Sequence, residues 1–123
     1  MKPSLYGQYI AERQGRGIVE TEDGFATFDY ISDKIVYIVD LYVVPEKRKS
    51  HVATELADKI CEEAIKSGHT QLLGSVDATA KGAEASCKVL EAYGMKIHKV
   101  AEPMIFYVKQ IAEEAVEAEV VNG

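Results

Sequence analysis

The sequence has little of what disulfide-linked, zinc-binding or membrane-spanning proteins need. Its 123 residues include only two cysteines, Cys61 and Cys87, and each falls inside a predicted helix without metal-ligand spacing around it. We therefore expect free thiols rather than a disulfide framework or a zinc site. No apolar run is long enough to span a bilayer, and residues 1–10 lack the charged-then-apolar layout of a signal peptide. These absences predict a cytoplasmic protein with no membrane partner.

Histidine is also scarce. His51, His69 and His98 are scattered, without a partner four residues away or a neighbouring cysteine, so no metal site is predicted. Gly15-Arg16-Gly17 precedes a predicted hairpin instead of following a strand into a helix, which favours a turn over a dinucleotide-binding loop.

Positive charge is in deficit. The chain has 14 basic and 20 acidic residues, a net charge of −6, which argues against a general nucleic-acid partner. Four acids follow the last basic residue, Lys109, so the acidity is concentrated at the end of the chain. We predict one domain over residues 1–110, large enough for a core and a cofactor cleft, and an acidic tail over 111–123 that is a frayed helix or disordered.

The most informative segment that is present runs from Leu41 to Leu56. An apolar strand passes through Pro45 into the basic residues Lys47 to Lys49, and an amphipathic helix follows, with Ser50 as its predicted N-cap. The start of a helix has unpaired N–H groups and the positive end of the helix dipole. Together with the basic residues, it predicts a pocket for a phosphorylated ligand.

Periodicity and turn signals predict alternating strands and helices. Only Asp40 is charged between Ile35 and Val44, which predicts a central strand covered on both faces. The order predicts an α/β domain, a mixed sheet with helices on its faces. The predicted elements are a short helix from Pro3 to Arg13, a hairpin of 18–22 and 25–32 around Asp23-Gly24, a strand over 34–44, a helix that ends at Ser67-Gly68, a strand over 71–76, a helix over 78–93 closed by Gly94, and strands over 96–100 and 104–109.

Two motifs resemble those of the GNAT acetyltransferase superfamily. Val43-Val44-Pro45-Glu46 is similar to the family's approach phrase, and residues 48–53 resemble its coenzyme A motif, R/Q-x-x-G-x-G/A. Arg48 and Ala53 fit that motif, whereas His51 stands at its first glycine. The resemblance covers Gly17 to Gln110. It implies a mostly antiparallel mixed sheet flanked by helices, with a shortened N-terminal helical region.

The resemblance also implies acetyl-CoA as the co-substrate. The backbone near Leu41 and Val43 would hold the acetyl end of the cofactor. The loop and the first helical turn would hold the pyrophosphate through Arg48, Lys49, Ser50, His51, Val52 and Ala53. A glycine lets phosphate approach the amides closely, so His51 either blocks the pyrophosphate or turns aside and donates a hydrogen bond to it.

Catalytic residues are harder to assign. Asp40, three residues before Val43, is the predicted base for the amine; the alternative is a carboxylate at the cleft rim held by a lysine or a backbone amide. The family's proton donor is often a tyrosine in Y-E-K-x-G-F, but this chain reads Leu90-Glu91-Ala92-Tyr93-Gly94-Met95. Tyr93 is therefore either a replacement donor or a packing residue beside Gly94.

Two functions follow from the resemblance. The first is an acetyl-CoA-dependent N-acetyltransferase that acts on a primary amine of unknown identity. The alternative is a catalytically silent GNAT-like structural or interaction module, for example in a virus particle. The shortened N-terminal region leaves the acceptor side open or requires a partner subunit. The apolar last strand, Ile105 to Val108, predicts a homodimer formed through an exposed sheet edge.

Overall fold

The computed structural model describes residues 4–113. Six strands form one sheet in the order β1-β2-β3-β4-β6-β5, and every neighbouring pair is antiparallel except β3 and β4. The predicted mixed, mostly antiparallel sheet with flanking helices is thus confirmed. The elements are α1 (Leu5–Tyr9), a π-helical turn (Ile10–Gln14), β1 (Gly17–Thr21), β2 (Gly24–Tyr30), β3 (Ile35–Val43), a 3₁₀ turn (Pro45–Lys47), α2 (Val52–Lys66), β4 (Gln71–Asp77), α3 (Ala83–Ala92), β5 (Lys96–Ala101) and β6 (Met104–Gln110).

The N-terminal segment is a single short helical stretch, as predicted. The Ser4 side chain caps it by accepting a hydrogen bond from the N–H of Gly7 at 2.9 Å. The segment changes from α to π geometry at Ile10 and ends at Gly15, which has a left-handed backbone with φ of 65°. Few residues are therefore available to cover the sheet face beneath α1.

The first hairpin is shifted by one residue from its prediction. Gly24 is already the first residue of β2, paired with Thr21 and opposite Val43, so the turn is Glu22-Asp23. A Cβ atom at Gly24 would lie 2.3 Å from the carbonyl oxygen of Tyr42. Close backbone approach, rather than the turn, is what requires glycine here.

The central strand β3 is covered on one face only. Its pairing with β2 and β4 confirms the central position, but Asp40 and Tyr42 are exposed, so the prediction of cover on both faces is wrong. The register with β2 shifts between Thr27 and Phe28, which places Val39 in a bulge. The short helix α1 leaves the Asp40 face of the strand open. The apolar composition of β3 does not indicate which of its faces is covered.

The core lies between the other sheet face and α2. Leu56, Ile60 and Ala64 of α2 are fully buried against strand residues that include Val36 and Leu72. The α2 helix begins at Val52, one residue later than an N-cap at Ser50 would place its start. Its N-cap is His51, which makes no capping bond, and Ser50 instead donates its hydroxyl hydrogen to the carbonyl of Lys47. The prediction of Ser50 as the N-cap is therefore wrong.

The second half of the chain differs from its prediction in two places. The α3 helix is shorter than 78–93 because Asp77 accepts the N–H of Thr79 at 2.9 Å and forms a turn before it. The strand Ile105 to Val108 lies between β4 and β5, so it is not a sheet edge. The edge on this side of the sheet is β5, in which every residue is exposed and which carries two lysines and a histidine. The homodimer stays a prediction, but the apolar strand from Ile105 to Val108 no longer supports it, because that strand is not at a sheet edge.

Within residues 4–113 no helix is long and apolar enough to cross a membrane. Of the predicted tail, residues 111–113 follow β6, and 114–123 lie outside the described residues.

Candidate functional site

The two parallel strands at the centre of the sheet separate partway along their length. They pair only between Ile35–Tyr37 and Gln71–Leu73, although β3 continues to Val43 and β4 continues to Asp77. Beyond Tyr37 the facing edges of the two strands are therefore not joined by the sheet ladder. This divergence opens a gap in the sheet beside Leu41 and Val43, the two strand residues predicted to hold a cofactor.

A turn with free amide groups follows β3. Lys49 has a left-handed backbone with φ of 65°, a strained conformation for a residue with a side chain. The N–H groups of Val52, Ala53 and Thr54 donate no hydrogen bond to any other residue of the described chain. The first turn of α2 thus has unpaired donors where the sequence predicts a phosphate site.

The residue at the glycine position of the motif is not strained. His51 has φ of −93° and ψ of 6°, which any L residue adopts, and its side chain is exposed. The turn therefore does not require glycine for its backbone conformation. The effect of the imidazole on a bound phosphate is the part of the prediction that stays untested.

The basic residues of this turn have different environments. Arg48 donates from Nε to the carbonyl oxygen of Val43 at 2.9 Å, and its guanidinium carbon lies 5.5 Å from the centroid of the Tyr42 ring. Lys47 and Lys49 are exposed. Arg48 therefore stabilises the end of β3 through this hydrogen bond and also adds positive charge beside the free amides.

A cavity of about 470 Å³ lies on the open face of the sheet, and we call it the aromatic cavity. Its walls are Tyr6, Phe25, Asp40, Leu41 and Tyr42. The Phe25 ring lies between the other two rings, with centroid distances of 5.0 Å to Tyr6 and 5.9 Å to Tyr42. Asp40 faces this cavity and accepts a long hydrogen bond of 3.5 Å from the hydroxyl of Thr27.

Asp40 is therefore a carboxylate at a cleft, as both of its predicted roles require. No ion pair joins Asp40 to a lysine or arginine within residues 4–113. The alternative that a lysine holds this carboxylate at the cleft rim therefore has no support there.

A smaller cavity of about 30 Å³, the helix-side cavity, lies on the opposite face between α2 and α3. Its walls include Leu41, Ala53, Leu90 and Tyr93. Leu41 lines both cavities, so the two approach each other from opposite faces of the sheet in the part of β3 that no longer pairs with β4. Two of the predicted cofactor-binding residues, Leu41 of β3 and Ala53 of α2, thus line the helix-side cavity together.

Tyr93 is held by several contacts. Its hydroxyl donates to Asp58 at 2.6 Å and lies 3.5 Å from the sulfur of Cys61. Lys109 donates to the Tyr93 carbonyl at 2.8 Å, and its ammonium nitrogen lies 4.0 Å from the ring centroid. Burial, and next the hydrogen bond to Asp58, raise the pKa of Tyr93 well above its ordinary value.

These contacts favour the packing role that the sequence left open for Tyr93. A raised pKa makes a phenol a weaker proton donor, and the hydroxyl hydrogen already has an acceptor. Leu90, at the motif's tyrosine position, packs near Gly74 and Met95 instead of supplying a donor. The donor role of Tyr93 stays a prediction, and Asp40 and Tyr93 line different cavities.

Sequence reasoning did not find the rings of the aromatic cavity. Tyr6, Phe25 and Tyr42 come from α1, β2 and β3 and meet only in the folded chain. One local signal was available, because Tyr42 lies two residues from Asp40 and therefore on the same face of the strand. Both cysteines are free thiols, as the sequence predicts, and burial raises the pKa of the Cys61 thiol.

Comparison with known proteins places this geometry in context. The family model described as "Acetyltransferase (GNAT) family" matches residues 4–95. A comparison with curated protein sequences finds no match.

Solved structures similar to this chain share its fold at low sequence identity. An aminoglycoside 6′-N-acetyltransferase complexed with coenzyme A has a TM-score of 0.66 and 16% identity, over 85% of this chain and 78% of that one. An aminoglycoside 6′-acetyltransferase type Ii has a TM-score of 0.69 and 21% identity, over 89% and 82%. PaiA N-acetyltransferase from Thermoplasma acidophilum, in complex with coenzyme A, has a TM-score of 0.69 and 14% identity, over 86% and 69%.

Proposed function

The chain belongs to the GNAT acetyltransferase family, and we propose that it transfers an acetyl group from acetyl-CoA to a primary amine. The observation that carries this proposal is that two cavities on opposite faces of the sheet both reach Leu41, four residues past the last pair between β3 and β4. A transferase needs such an arrangement because its two substrates must meet at one point. The coenzyme A found in complexes of similar folds supports the choice of donor.

The residues around α2 fit a phosphorylated cofactor. The unpaired N–H groups of Val52, Ala53 and Thr54 and the positive end of the helix would bind the pyrophosphate. Lys49, Ser50 and His51 line the approach, with exposed side chains that add charge and hydrogen-bond donors.

The end of β3 would hold the acetyl end of the cofactor. Leu41 and Val43 lie where the strand no longer pairs with β4, so backbone there is available to a ligand. Arg48 holds the carbonyl of Val43 through its Nε, which makes it a positioning residue as well as a source of charge.

When bound, acetyl-CoA supplies an activated acyl group: the amine nitrogen bonds to the carbonyl carbon as the carbon–sulfur bond breaks, and the electron pair leaves on sulfur. An amine attacks only when it is neutral, and most primary amines are protonated at neutral pH. Asp40, in the aromatic cavity, would take the proton from the ammonium group, directly or through a water molecule. The thiolate then takes up one proton, so the net reaction releases one proton for each ammonium consumed.

One set of observations favours the second function, a catalytically silent module. Leu90 cannot donate a proton, and the Tyr93 hydroxyl is already bonded to Asp58. A GNAT-like domain with those properties would bind coenzyme A without turnover, or would bind neither substrate and serve as an interaction module.

Calorimetric titration with acetyl-CoA, followed by turnover with primary amines, separates the two functions. We expect saturable binding with a Kd on the order of micromolar and measurable loss of the thioester. Asp40→Asn should keep that affinity and lower kcat by about 10² or more. Asp33→Asn, an exposed carboxamide substitution in the turn before β3, is the matched control and should change neither value.

Absence of saturable binding would contradict the transferase proposal. Binding without turnover of any amine would establish the silent module instead.

A further inference from the structure

The aromatic cavity has a wall made of three rings from separate parts of the chain. Phe25 lies at its centre, tilted by 56° against Tyr6 and by 32° against Tyr42. Tyr6 and Tyr42, which both contact Phe25, leave 44% and 43% of their surface exposed. A bound molecule with an apolar body would cover this surface and gain hydrophobic stabilisation.

Among residues 4–113, Asp40 is the only charged residue in the wall of this cavity. Glu20, beside Phe25 in the hairpin, accepts hydrogen bonds from the backbone N–H and the hydroxyl of Ser4 and is therefore occupied. The guanidinium of Arg48 lies over the Tyr42 ring and bonds to the Val43 carbonyl. Among the described residues, the cavity thus presents one carboxylate, which has no ion-pair partner and accepts the long hydrogen bond from Thr27, and the faces of aromatic rings.

This combination selects for a single positive charge on an apolar body. An ammonium group is attracted both by a carboxylate and by aromatic faces within about 6 Å. A molecule with several ammonium groups and many hydroxyls would need further carboxylates and polar partners, or it would lose hydration without compensation. The wall of the aromatic cavity does not supply them.

We infer that the acceptor is an arylalkylamine: a monoamine whose aromatic ring packs against Tyr6, Phe25 and Tyr42 while its nitrogen lies beside Asp40. This inference rests on the proposed function and names the substrate class of the same site. It separates this chain from the aminoglycoside acetyltransferases whose fold it shares, since those are named for polycationic acceptors.

A panel of amines tests the inference on the 123-residue chain with saturating acetyl-CoA. The panel contains 2-phenylethylamine, spermidine, kanamycin and a short lysine peptide, and the readout is loss of thioester absorbance. We expect kcat/KM for 2-phenylethylamine to exceed that of every other amine by roughly fivefold or more, the gain that one aromatic ring pair provides, because it is the amine of the panel with an aromatic ring. A smaller preference, or a preference for another amine, overturns the inference while leaving acetyl transfer established.

A ring-removal variant locates the preference. Tyr6→Leu keeps an apolar side chain but removes the ring, so KM for 2-phenylethylamine should rise by about fivefold while KM for acetyl-CoA stays unchanged. Tyr9→Leu is the matched control because Tyr9 lies on the same helix, is 52% exposed and does not line the cavity. An equal effect of both substitutions would assign the change to α1 as a whole and overturn the inference.

Direct binding separates this inference from the proposed function. If no amine is acetylated, the transferase proposal fails, and saturation-transfer NMR with 2-phenylethylamine still tests the cavity. Binding that is weakened by Tyr6→Leu and by Asp40→Asn, but not by Tyr9→Leu, supports the inference. Absence of binding, or binding insensitive to these substitutions, overturns it.

Discussion

The hydroxyl of Tyr93 donates a hydrogen bond of 2.6 Å to Asp58, which joins the end of α3 to the middle of α2. The two residues are 35 positions apart, and Tyr93 also lines the helix-side cavity. Removal of a hydroxyl that joins two packed helices should lower the free energy of unfolding. Removal of a hydroxyl that protonates a leaving group should instead lower kcat.

Tyr93→Phe should lower stability more than activity. Removing the hydroxyl deletes the bond to Asp58 and should reduce the free energy of unfolding by about 0.5–1.5 kcal/mol. The ring and its contact with Lys109 are retained. We expect kcat to change by less than roughly threefold, whereas loss of a general acid costs about 10² or more. Urea unfolding and steady-state kinetics measure the two effects. A large fall in kcat would establish the donor role predicted for Tyr93.

His51→Glu should weaken cofactor binding without unfolding the protein. The side chain is exposed and next to the free amides of the first turn of α2, so a carboxylate there would repel the pyrophosphate. A Glu at a helix start is itself slightly stabilising. We expect the Kd for acetyl-CoA to rise by about tenfold, measured by calorimetry, at unchanged thermal stability.

The matched control is His98→Glu, the same charge change at an exposed position on the edge strand β5. If both variants weaken binding equally, the effect is due to net charge and the phosphate site is not at α2.

Gly24→Ala and Gly74→Ala should differ sharply although both glycines lie in strands. At Gly24 the new methyl group would lie 2.3 Å from the Tyr42 carbonyl oxygen, so the backbone of β2 or β3 must move. At Gly74 it would make ordinary contacts of 3.6 Å with Leu90 and Met95. Overpacking predicts a loss of about 1–3 kcal/mol for the first variant, against less than about 1 kcal/mol for the second. Equal urea midpoints would contradict this account of the hairpin.

Stability should fall on the alkaline side of neutrality. Burial raises the pKa of the Cys61 thiol, and burial with the bond to Asp58 raises that of Tyr93, so the folded chain keeps protons that the unfolded chain releases. The stabilisation is complete below the unfolded thiol pKa of about 8.5 and is lost progressively above it. We expect a lower urea midpoint at about pH 9.5 than at about pH 7.5.

Cys61→Ala is the control for this pH dependence. It removes one of the raised pKa values, so its midpoint should fall less than that of the unsubstituted protein over the same range. An equal fall in both proteins would show that Cys61 does not contribute.

The order of the elements could be predicted from the sequence because the signals for it are local. Apolar periodicity identifies α2, and Gly15, Gly68 and Gly94 end their helical segments with left-handed backbones. The turn that we propose binds phosphate is also local, since Arg48 to Ala53 are contiguous. The N-cap of α2 differs from its prediction by one residue and the start of α3 by five, and at both places a short polar side chain bonds to nearby backbone outside the helix.

What the sequence by itself determined was therefore the mixed sheet, its helices and the position of the turn after β3, because short-range backbone geometry and burial periodicity specify them. Only the tertiary structure decided where β3 leaves β4, that Asp40 shares a cavity with Tyr6 and Phe25, and that Tyr93 bonds to Asp58. These features join residues that are distant along the chain. The packing of whole elements and the bulge at Val39 set them, and no local pattern encodes either.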